Sequence, residues 1–266
     1  MTSPNDLDVV PELRAIPGFA DLPGEALTEM AGLVVQRRLV AQMSLVEQGI
    51  ASGSWLALVR GAAKTTRSTE TEAGPSVIVL DVMRAPSVVC DPSVFDGSPP
   101  PASVVALRAS HAFAIERRAM MQLVAAHPAL AKVLLTRLAE DIRSLVRRLD
   151  EVVSGPVDER VKRLLESLAL RQGTPLGQGR FIAIPLRRRD IACMVNATTE
   201  TVSRLLAKFE REGRARSTRD GIWWRMSGKS TPMPAAIPGI TAALGPATEP
   251  EPMAEPLPRD VRGQSR

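Results

Sequence analysis

The segment 185–213 constrains this chain most strongly, because its pattern predicts two short helices joined by a tight turn. A first helix is expected over about 188–195, where apolar residues recur on one side at helical spacing. Asn196 follows where the turn needs a positive φ, which asparagine tolerates better than most residues other than glycine. Thr198 is a suitable N-cap, so a second helix is expected to begin at Thr199. The segment therefore predicts a helix-turn-helix, an arrangement typical of DNA-reading modules.

The second predicted helix has two chemically different sides. Its apolar positions fall at i, i+3, i+4 and i+7, and they are Val202, Leu205, Leu206 and Phe209. Its other side is polar and contains Thr199, Glu200, Ser203, Arg204 and Lys208. We expect the apolar side to pack within the domain and the polar side to read DNA. An amphipathic helical hairpin in any small domain has the same pattern, so a solvated surface role for the charged residues is the alternative.

The positive charge of the chain is concentrated around this predicted helix pair. Residues 156–230 contain 16 Lys and Arg against 8 Asp and Glu, a net charge of +8. The net charge is −2 over residues 1–155 and −1 over residues 231–266. A basic segment of this kind is typical of proteins that neutralise phosphates, so double-stranded DNA is the expected partner.

Residues 214–226 predict a β-hairpin directly behind the second helix, because Asp220-Gly221 is a strong turn signal between two short extended runs. We interpret this hairpin as a wing. Trp223 or Trp224 is expected to anchor it on the helices, and stacking of the paired tryptophans on bases is the alternative. Four arginines are expected to contact phosphates beside the groove: Arg214, Arg216, Arg219 and Arg225.

Residues 198–204, Thr-Thr-Glu-Thr-Val-Ser-Arg, resemble the Ser-Arg-Glu-Thr-Val-x-Arg run of the Crp-Fnr family of bacterial transcription regulators. The resemblance covers roughly residues 16–227 and implies that Glu200 and Arg204 contact base edges while Thr198 meets a phosphate. The chain departs at Thr199, where many members carry a guanine-reading arginine, so one bidentate base donor is absent. It also departs at Arg187, where the family often has Thr or Ser. The candidate DNA contacts are Arg187, Arg188, Thr198, Thr199, Glu200, Ser203, Arg204, Lys208 and Arg219.

The N-terminal half contains short apolar runs broken by turn residues, which predict an antiparallel β domain. The family resemblance implies that this domain is a β-roll of the cyclic-nucleotide-binding kind, with a degenerate pocket near Cys90, Asp91 and Pro101. The expected position of the phosphate-binding arginine falls within the three prolines 99–101, which provide no charge and no backbone donor. Binding of cyclic AMP is therefore predicted to be lost, and a different small effector or none remains open.

No cofactor or metal site is predicted from the sequence. Cys90 and Cys193 are the only cysteines, so the chain has no cysteine cluster for an iron–sulfur centre or a zinc set. With His111 and His127 as the only histidines, a haem or metal role is not expected. The chain also lacks a glycine-rich phosphate loop and a nucleophile motif, so an enzyme is not expected.

Residues 129–153 predict one long helix whose apolar positions recur at alternating steps of three and four. This spacing favours a dimerisation seam, and a helix buried on its own β-roll is the alternative. Gly155-Pro156 would end the helix and form a hinge, and residues 158–170 would then be the first helix of the DNA-binding domain. A two-fold dimer of this kind would prefer an inverted-repeat site.

The predicted fold class is α+β, and the chain is expected to have four parts. They are an effector-type β-roll (1–128), a dimerisation helix with its hinge (129–155), a winged helix-turn-helix (156–228) and a disordered proline-rich tail (229–266). No apolar run spans a membrane and no signal peptide is evident, so a cytoplasmic homodimer is expected. RNA polymerase and an unidentified effector remain open as partners. The rival interpretation is a ligand-sensing or protein-interaction scaffold that no longer reads DNA specifically.

Overall fold

A computed structural model describes residues 7–50, 53–71, 74–89 and 92–226. The predicted tail (229–266) therefore lies outside the described residues. In the N-terminal half, strands form two four-stranded antiparallel sheets with orders β1-β8-β3-β6 and β2-β7-β4-β5. The strands are β1 (Val35–Leu39), β2 (Ser44–Val46), β3 (Ser54–Arg60), β4 (Ala62–Thr71), β5 (Gly74–Arg84), β6 (Ser87–Val89), β7 (Ser103–Ala106) and β8 (Ser110–Glu116).

Strand β3 explains how the two layers of this β-roll are held together. Its side chains alternate in direction, so Leu56 and Leu58 pack between the two sheets while Trp55 and Val59 pack against helices. The interior between the sheets is filled by small and medium apolar residues, including Ala112 of β8. The helices that flank the roll are α1 (Val9–Arg14), α2 (Gly24–Leu33), α3 (Ser93–Asp96) and α4 (Arg117–Ala126).

A long helix, α5 (Pro128–Val153), connects the two halves of the chain. Its first turns pack on the β-roll through the buried Leu130 and Leu134. Beyond these turns the apolar positions face outward, and Leu135, Ile142, Leu145, Val146 and Leu149 are between 54% and 68% exposed. The predicted helix is therefore present, and within one chain its apolar seam is uncovered.

Helices and a small sheet form the C-terminal half. The helices are α6 (Val157–Gln172), α7 (Arg188–Met194) and α8 (Thr199–Arg211), and the strands are β9 (Thr174–Leu176), β10 (Gly179–Ile182), β11 (Ala215–Ser217) and β12 (Ile222–Arg225). The sheet order is β11-β12-β10-β9, so the predicted wing hairpin β11–β12 is continued by a second hairpin. The second hairpin was not expected from the sequence.

The two halves share one apolar cluster. Ala62, Val79 and Val82 of the β-roll lie in the same buried group as the core residues of α6, α7 and α8. Within the described residues no single helix is long and apolar enough to cross a membrane, and α4 with the first part of α5 meets that test only as a pair bent by 114°.

Candidate nucleic-acid interface

The turn between α7 and α8 has the geometry of a helix-turn-helix. Asn196 has φ = 48°, the left-handed conformation expected at this position. The Thr198 hydroxyl accepts a hydrogen bond from the Thr201 N–H at 3.2 Å and donates one to the Thr201 hydroxyl at 2.9 Å. Thr198 is thus the N-cap of α8, as the sequence predicts, and it satisfies one of the free backbone donors of the first turn.

Helix α8 buries one side and exposes the other. Val202, Leu206 and Phe209 are at most 1% exposed and pack in the shared core. On the opposite side Thr199, Glu200, Arg204 and Lys208 are exposed, and Ser203 is half-buried between them. We call these five residues the polar face of α8. Within the described part of the chain, no hydrogen bond or ion pair holds the Arg204 side chain, so it can reach outward to a ligand.

The basic residues at the start of α7 differ in their surroundings. Arg187 is exposed, and its backbone N–H donates to Asp190 Oδ2 at 3.1 Å. Arg188 donates to Ser217 Oγ at 3.1 Å and lies 4.0 Å from a Glu210 carboxylate oxygen. Arg188 therefore connects α7 with the base of the wing, whereas Arg187 is available at the surface.

The wing strands are joined by a four-residue turn over 218–221, which contains the predicted Asp220-Gly221 pair and in which the Thr218 N–H donates to Gly221 O at 2.8 Å. A Cβ at Gly221 would lie 2.0 Å from the backbone oxygen of Ile182, so only glycine fits there. Arg219 is exposed in this turn, while Arg214 lies with its guanidinium 5.2 Å from the Phe209 ring centroid. The structure thus gives Arg214 a packing contact that the sequence did not indicate.

Both tryptophans of the wing are fully buried, on opposite sides of the sheet. Trp224 packs in the shared core against Phe209, with ring centroids 5.5 Å apart. Trp223 packs with Phe181 on the other side, and its indole N–H donates to Leu176 O at 3.0 Å. The prediction that either Trp223 or Trp224 anchors the hairpin was incomplete, because residues of the second hairpin bury Trp223 on the other side of the sheet. Neither ring is placed to stack on bases.

Arg160 of α6 was missed by the sequence reasoning. Its guanidinium donates to the backbone oxygens of Gly155, Val195 and Asn196 at 3.0, 3.0 and 3.2 Å. It therefore ties the hinge after α5 to the turn between α7 and α8. An arginine in an amphipathic helix carries no local signal of such a role, because all three acceptors are backbone atoms.

The segment expected to replace a phosphate clamp is bound to its own chain. Pro101 O accepts from Arg67 Nη1 at 2.8 Å, and Pro100 O accepts from the Gly49 N–H at 2.9 Å. Cys90 and Asp91, the other residues of the predicted degenerate pocket, lie outside the described residues. No group of three His, Cys, Asp or Glu side chains that could hold a metal occurs in the described ranges.

A small cavity lies where α5 crosses the β-roll. It measures roughly 20 Å³ and is lined by Trp55, Val88, Val89, Phe95, Leu134, Arg137 and Leu138. This volume holds about one water molecule, so the cavity as it stands cannot accommodate a nucleotide.

The architecture defines a class of protein in which a β-roll is joined by a long helix to a winged helix-turn-helix. Residues 36–127 match the cyclic nucleotide-binding domain and residues 159–224 match the Crp-like helix-turn-helix domain, which together span more than half of the chain. The chain belongs to the Crp-Fnr family.

Individual relatives agree with this assignment. A CRP-like cAMP-activated global transcriptional regulator of Mycobacterium tuberculosis is 30% identical over 152 residues, which are 57% of this chain and 64% of that protein. The match thus spans slightly less than two thirds of the relative. Among solved structures, the c-di-GMP-responsive regulator CLP of Xanthomonas campestris has a TM-score of 0.62 at 15% identity, covering 77% of this chain and 100% of that one. FixK2 of Bradyrhizobium japonicum has a TM-score of 0.62 at 18% identity, covering 73% and 93%. These two similarities show a shared fold.

Proposed function

We propose that the protein is a sequence-specific transcription regulator that binds double-stranded DNA as a homodimer, in the cytoplasm. The observation that carries this proposal is the polar face of α8, which is uncovered and stands on a capped, well-packed helix. Glu200 and Arg204 contact base edges in the major groove, while Thr198 and Arg219 contact phosphates. The remaining contacts come from Arg187, Arg188, Thr199, Ser203 and Lys208.

Dimerisation is supported by the uncovered apolar side of α5. A soluble helix seldom exposes five large apolar side chains along one side unless a partner covers them. A second copy supplies the same side chains at the same spacing, which suits a two-fold coiled coil. Two α8 helices related by this axis enter successive major grooves about 34 Å apart and select an inverted repeat.

The same proposal assigns the parts of the chain. The β-roll (1–128) is the effector-type domain, residues 129–155 dimerise and hinge, and residues 156–228 bind DNA. Cyclic AMP does not control this protein, because the prolines 99–101 present no cation to a cyclic phosphate and burial of an unpaired phosphate is costly. In this respect it differs from the Mycobacterium tuberculosis relative, which is named for activation by cAMP.

Selection from a fragmented genomic DNA library at moderate salt tests the proposal. The full chain is immobilised through its N-terminus, the bound fragments are sequenced, and the enriched motif is examined for symmetry. An enriched inverted repeat is the expected outcome. Weak binding without sequence preference would support the rival function, a sensing or interaction scaffold, which the missing arginine at Thr199 favours.

A further inference from the structure

The first helix of the helix-turn-helix is fastened to the β-roll of its own chain by a buried ion pair. Lys64 Nζ of β4 lies 2.7 Å from Asp190 Oδ1 of α7. The two residues are 9% and 2% exposed, so both charges are largely removed from water. Around them, α7 packs against β5 through the shared apolar cluster that includes Val79 and Val82. A buried charge that loses its counter-ion is strongly destabilising, so the ion pair fixes the position of α7 on the roll.

Asp190 performs a second task with its other oxygen. Its Oδ2 accepts a hydrogen bond from the Arg187 N–H at 3.1 Å, at the N-terminus of α7. One carboxylate thus joins the β-roll to the start of the helix-turn-helix. Because α7 and α8 share a packed core, a fixed α7 also fixes the direction of the polar face of α8.

Arg108, between β7 and β8, makes a second connection on the wing side. Its Nη2 donates to Ala183 O at 3.3 Å and to Asp220 O at 3.1 Å, and burial lowers the pKa of this arginine. A third connection comes from α6, where Gln172 Nε2 donates to Val82 O of β5 at 2.7 Å. The DNA-binding half is therefore held at separate points, none of which covers the polar face of α8.

We propose that Lys64 is a positioning residue for DNA recognition, acting through Asp190 to set the angle of α8 relative to the dimer axis and hence the half-site spacing that the dimer accepts. This inference rests on the proposed function. Fixed attachment of each DNA-binding half to its roll makes the separation of the two α8 helices a defined distance. Loss of the ion pair removes one of these attachments and allows a wider range of that distance through the hinge at Gly155-Pro156.

The test compares wild type, Lys64→Met and Asp190→Asn. Methionine is similar in length to the lysine side chain but carries no charge. Asparagine removes the negative charge of Asp190 and retains an oxygen that can accept from the Arg187 N–H. Arg67→Met is the matched control, since this basic residue lies on the same strand and bonds to Pro101 O within the roll. Dissociation constants are measured by fluorescence anisotropy on duplexes carrying the selected inverted repeat with half-sites separated by different numbers of base pairs.

Wild type and Arg67→Met are expected to prefer one spacing sharply. Lys64→Met and Asp190→Asn are expected to bind the preferred duplex about tenfold more weakly while losing less than threefold at neighbouring spacings, so that the preference flattens. The double variant is expected to resemble either single variant, because both remove the same contact. An unchanged spacing preference in folded Lys64→Met or Asp190→Asn would overturn the proposal.

A measurement without DNA separates this inference from the proposed function. Spin labels are placed on the exposed Cys193 of α7 and on α4 through Gln122→Cys, in a Cys90→Ser background. Labelled chains are diluted with unlabelled chains so that the distance within one chain is observed. Lys64→Met is expected to broaden this distance distribution and Arg67→Met to leave it narrow. A narrow distribution in Lys64→Met would refute the positioning role, whereas failure of wild type to bind any duplex specifically would refute only the DNA-binding function.

Discussion

Arg204 is the residue on which the proposed sequence-specific recognition depends most directly. It is exposed on α8 and, within the described residues, has no partner that would hold it back. Arg204→Ala is expected to weaken binding to the selected inverted repeat by roughly 1–3 kcal/mol and to leave binding to random DNA nearly unchanged. Arg211→Ala is the matched control, because Arg211 is an exposed arginine in the last turn of the same helix. An equal loss on random DNA would identify Arg204 as a phosphate contact instead.

Thr198 contributes to stability as well as to the proposed phosphate contact. Its hydroxyl satisfies the Thr201 N–H at the start of α8. Thr198→Ala is expected to lower the free energy of unfolding by about 1 kcal/mol, because that donor loses its acceptor. Urea denaturation followed by far-UV circular dichroism measures the change. Thr199→Ala, one residue along the chain and exposed, should cost less; equal losses in the two variants would contradict the capping role.

His111 makes stability depend on pH. Burial lowers the pKa of His111 below its usual 6.5, and the guanidinium groups of Arg60 and Arg38 lower it further. As the pH falls below 6.5, the unfolded chain binds a proton more readily than the folded one, so the free energy of unfolding decreases from that pH towards the lower folded pKa. Above this window the histidine is neutral in both states and its influence is constant.

The comparison of wild type with His111→Gln isolates this titration. The other histidine, His127, is present in both proteins, so the two differ only at position 111. Urea unfolding at pH values about one unit above and one unit below the usual histidine pKa is expected to show a larger loss on acidification for wild type. Equal losses in the two proteins would show that His111 titrates alike in the folded and unfolded chains.

Local residue patterns predicted the residues of the helix-turn-helix that act within a few positions of one another. The positive φ of Asn196 and the N-cap Thr198 follow from short-range chemistry. The pair Lys64–Asp190 spans 126 positions, and neither residue has a neighbour in sequence that signals it. The fold alone brings such distant charges together, which is why the positioning contacts were not predicted.

Helix α5 is the element on which the proposed dimer, and with it the proposed reading of a symmetric site, depends. Leu145 is 54% exposed in the middle of its apolar side. Leu145→Glu is expected to convert the proposed dimer into monomer, because each dimer would bury two carboxylates facing one another across the seam. Sedimentation velocity at micromolar concentration measures the mass directly.

Leu170→Glu is the matched control for this change, since Leu170 is a leucine on α6 with 62% exposure outside the seam. This variant is expected to sediment as wild type does. A dimer that persists in Leu145→Glu would show that α5 is not the interface. A wild-type protein that sediments as a monomer would contradict the proposal that a second copy of the chain covers the exposed apolar side of α5.

Periodicity predicted the long helix and the helix pair well, because each has many regularly spaced apolar positions. The hairpin β9–β10 was missed because its strands are only three and four residues long and its connection, Gly177-Gln178, is not the Asp-Gly pair that indicated the equally short wing hairpin. Its presence explains why Trp223 and Trp224 can both be buried: the sheet has two covered sides. The family resemblance, and not local periodicity, indicated that the N-terminal strands form a β-roll.

At the scale of the whole molecule, the β-roll is the body against which the DNA-binding half is oriented. Its contacts on α7, on the wing turn and on α6 connect the roll to the elements that pack around α8. An effector bound in the roll would therefore act by changing these contacts. The largest change that it could make in the free energy of DNA binding is the difference between its binding free energies for two arrangements of the roll and the DNA-binding half.

Cyclic AMP is expected to have no such influence. The prolines 99–101 stand where the resemblance places the phosphate-binding arginine, and the carbonyl of Pro101 already accepts a bond from Arg67. An added ligand raises the free energy of unfolding by about 2.7 kcal/mol at a hundredfold excess over its dissociation constant. Millimolar cyclic AMP is therefore expected to leave both the melting temperature and the affinity for the selected duplex unchanged.

The cAMP-activated relative of Mycobacterium tuberculosis provides the positive control for this assay, because it is expected to respond under the same conditions. If the shift in melting temperature is too small to interpret, titration calorimetry measures directly whether this chain binds cyclic AMP. Micromolar binding of cyclic AMP would show that another cation meets the phosphate, and Arg67→Met would then test whether Arg67 is that cation. Absence of binding would mean that the β-roll either responds to a different effector or has none, and in the second case its contacts with the DNA-binding half would serve only to position that half.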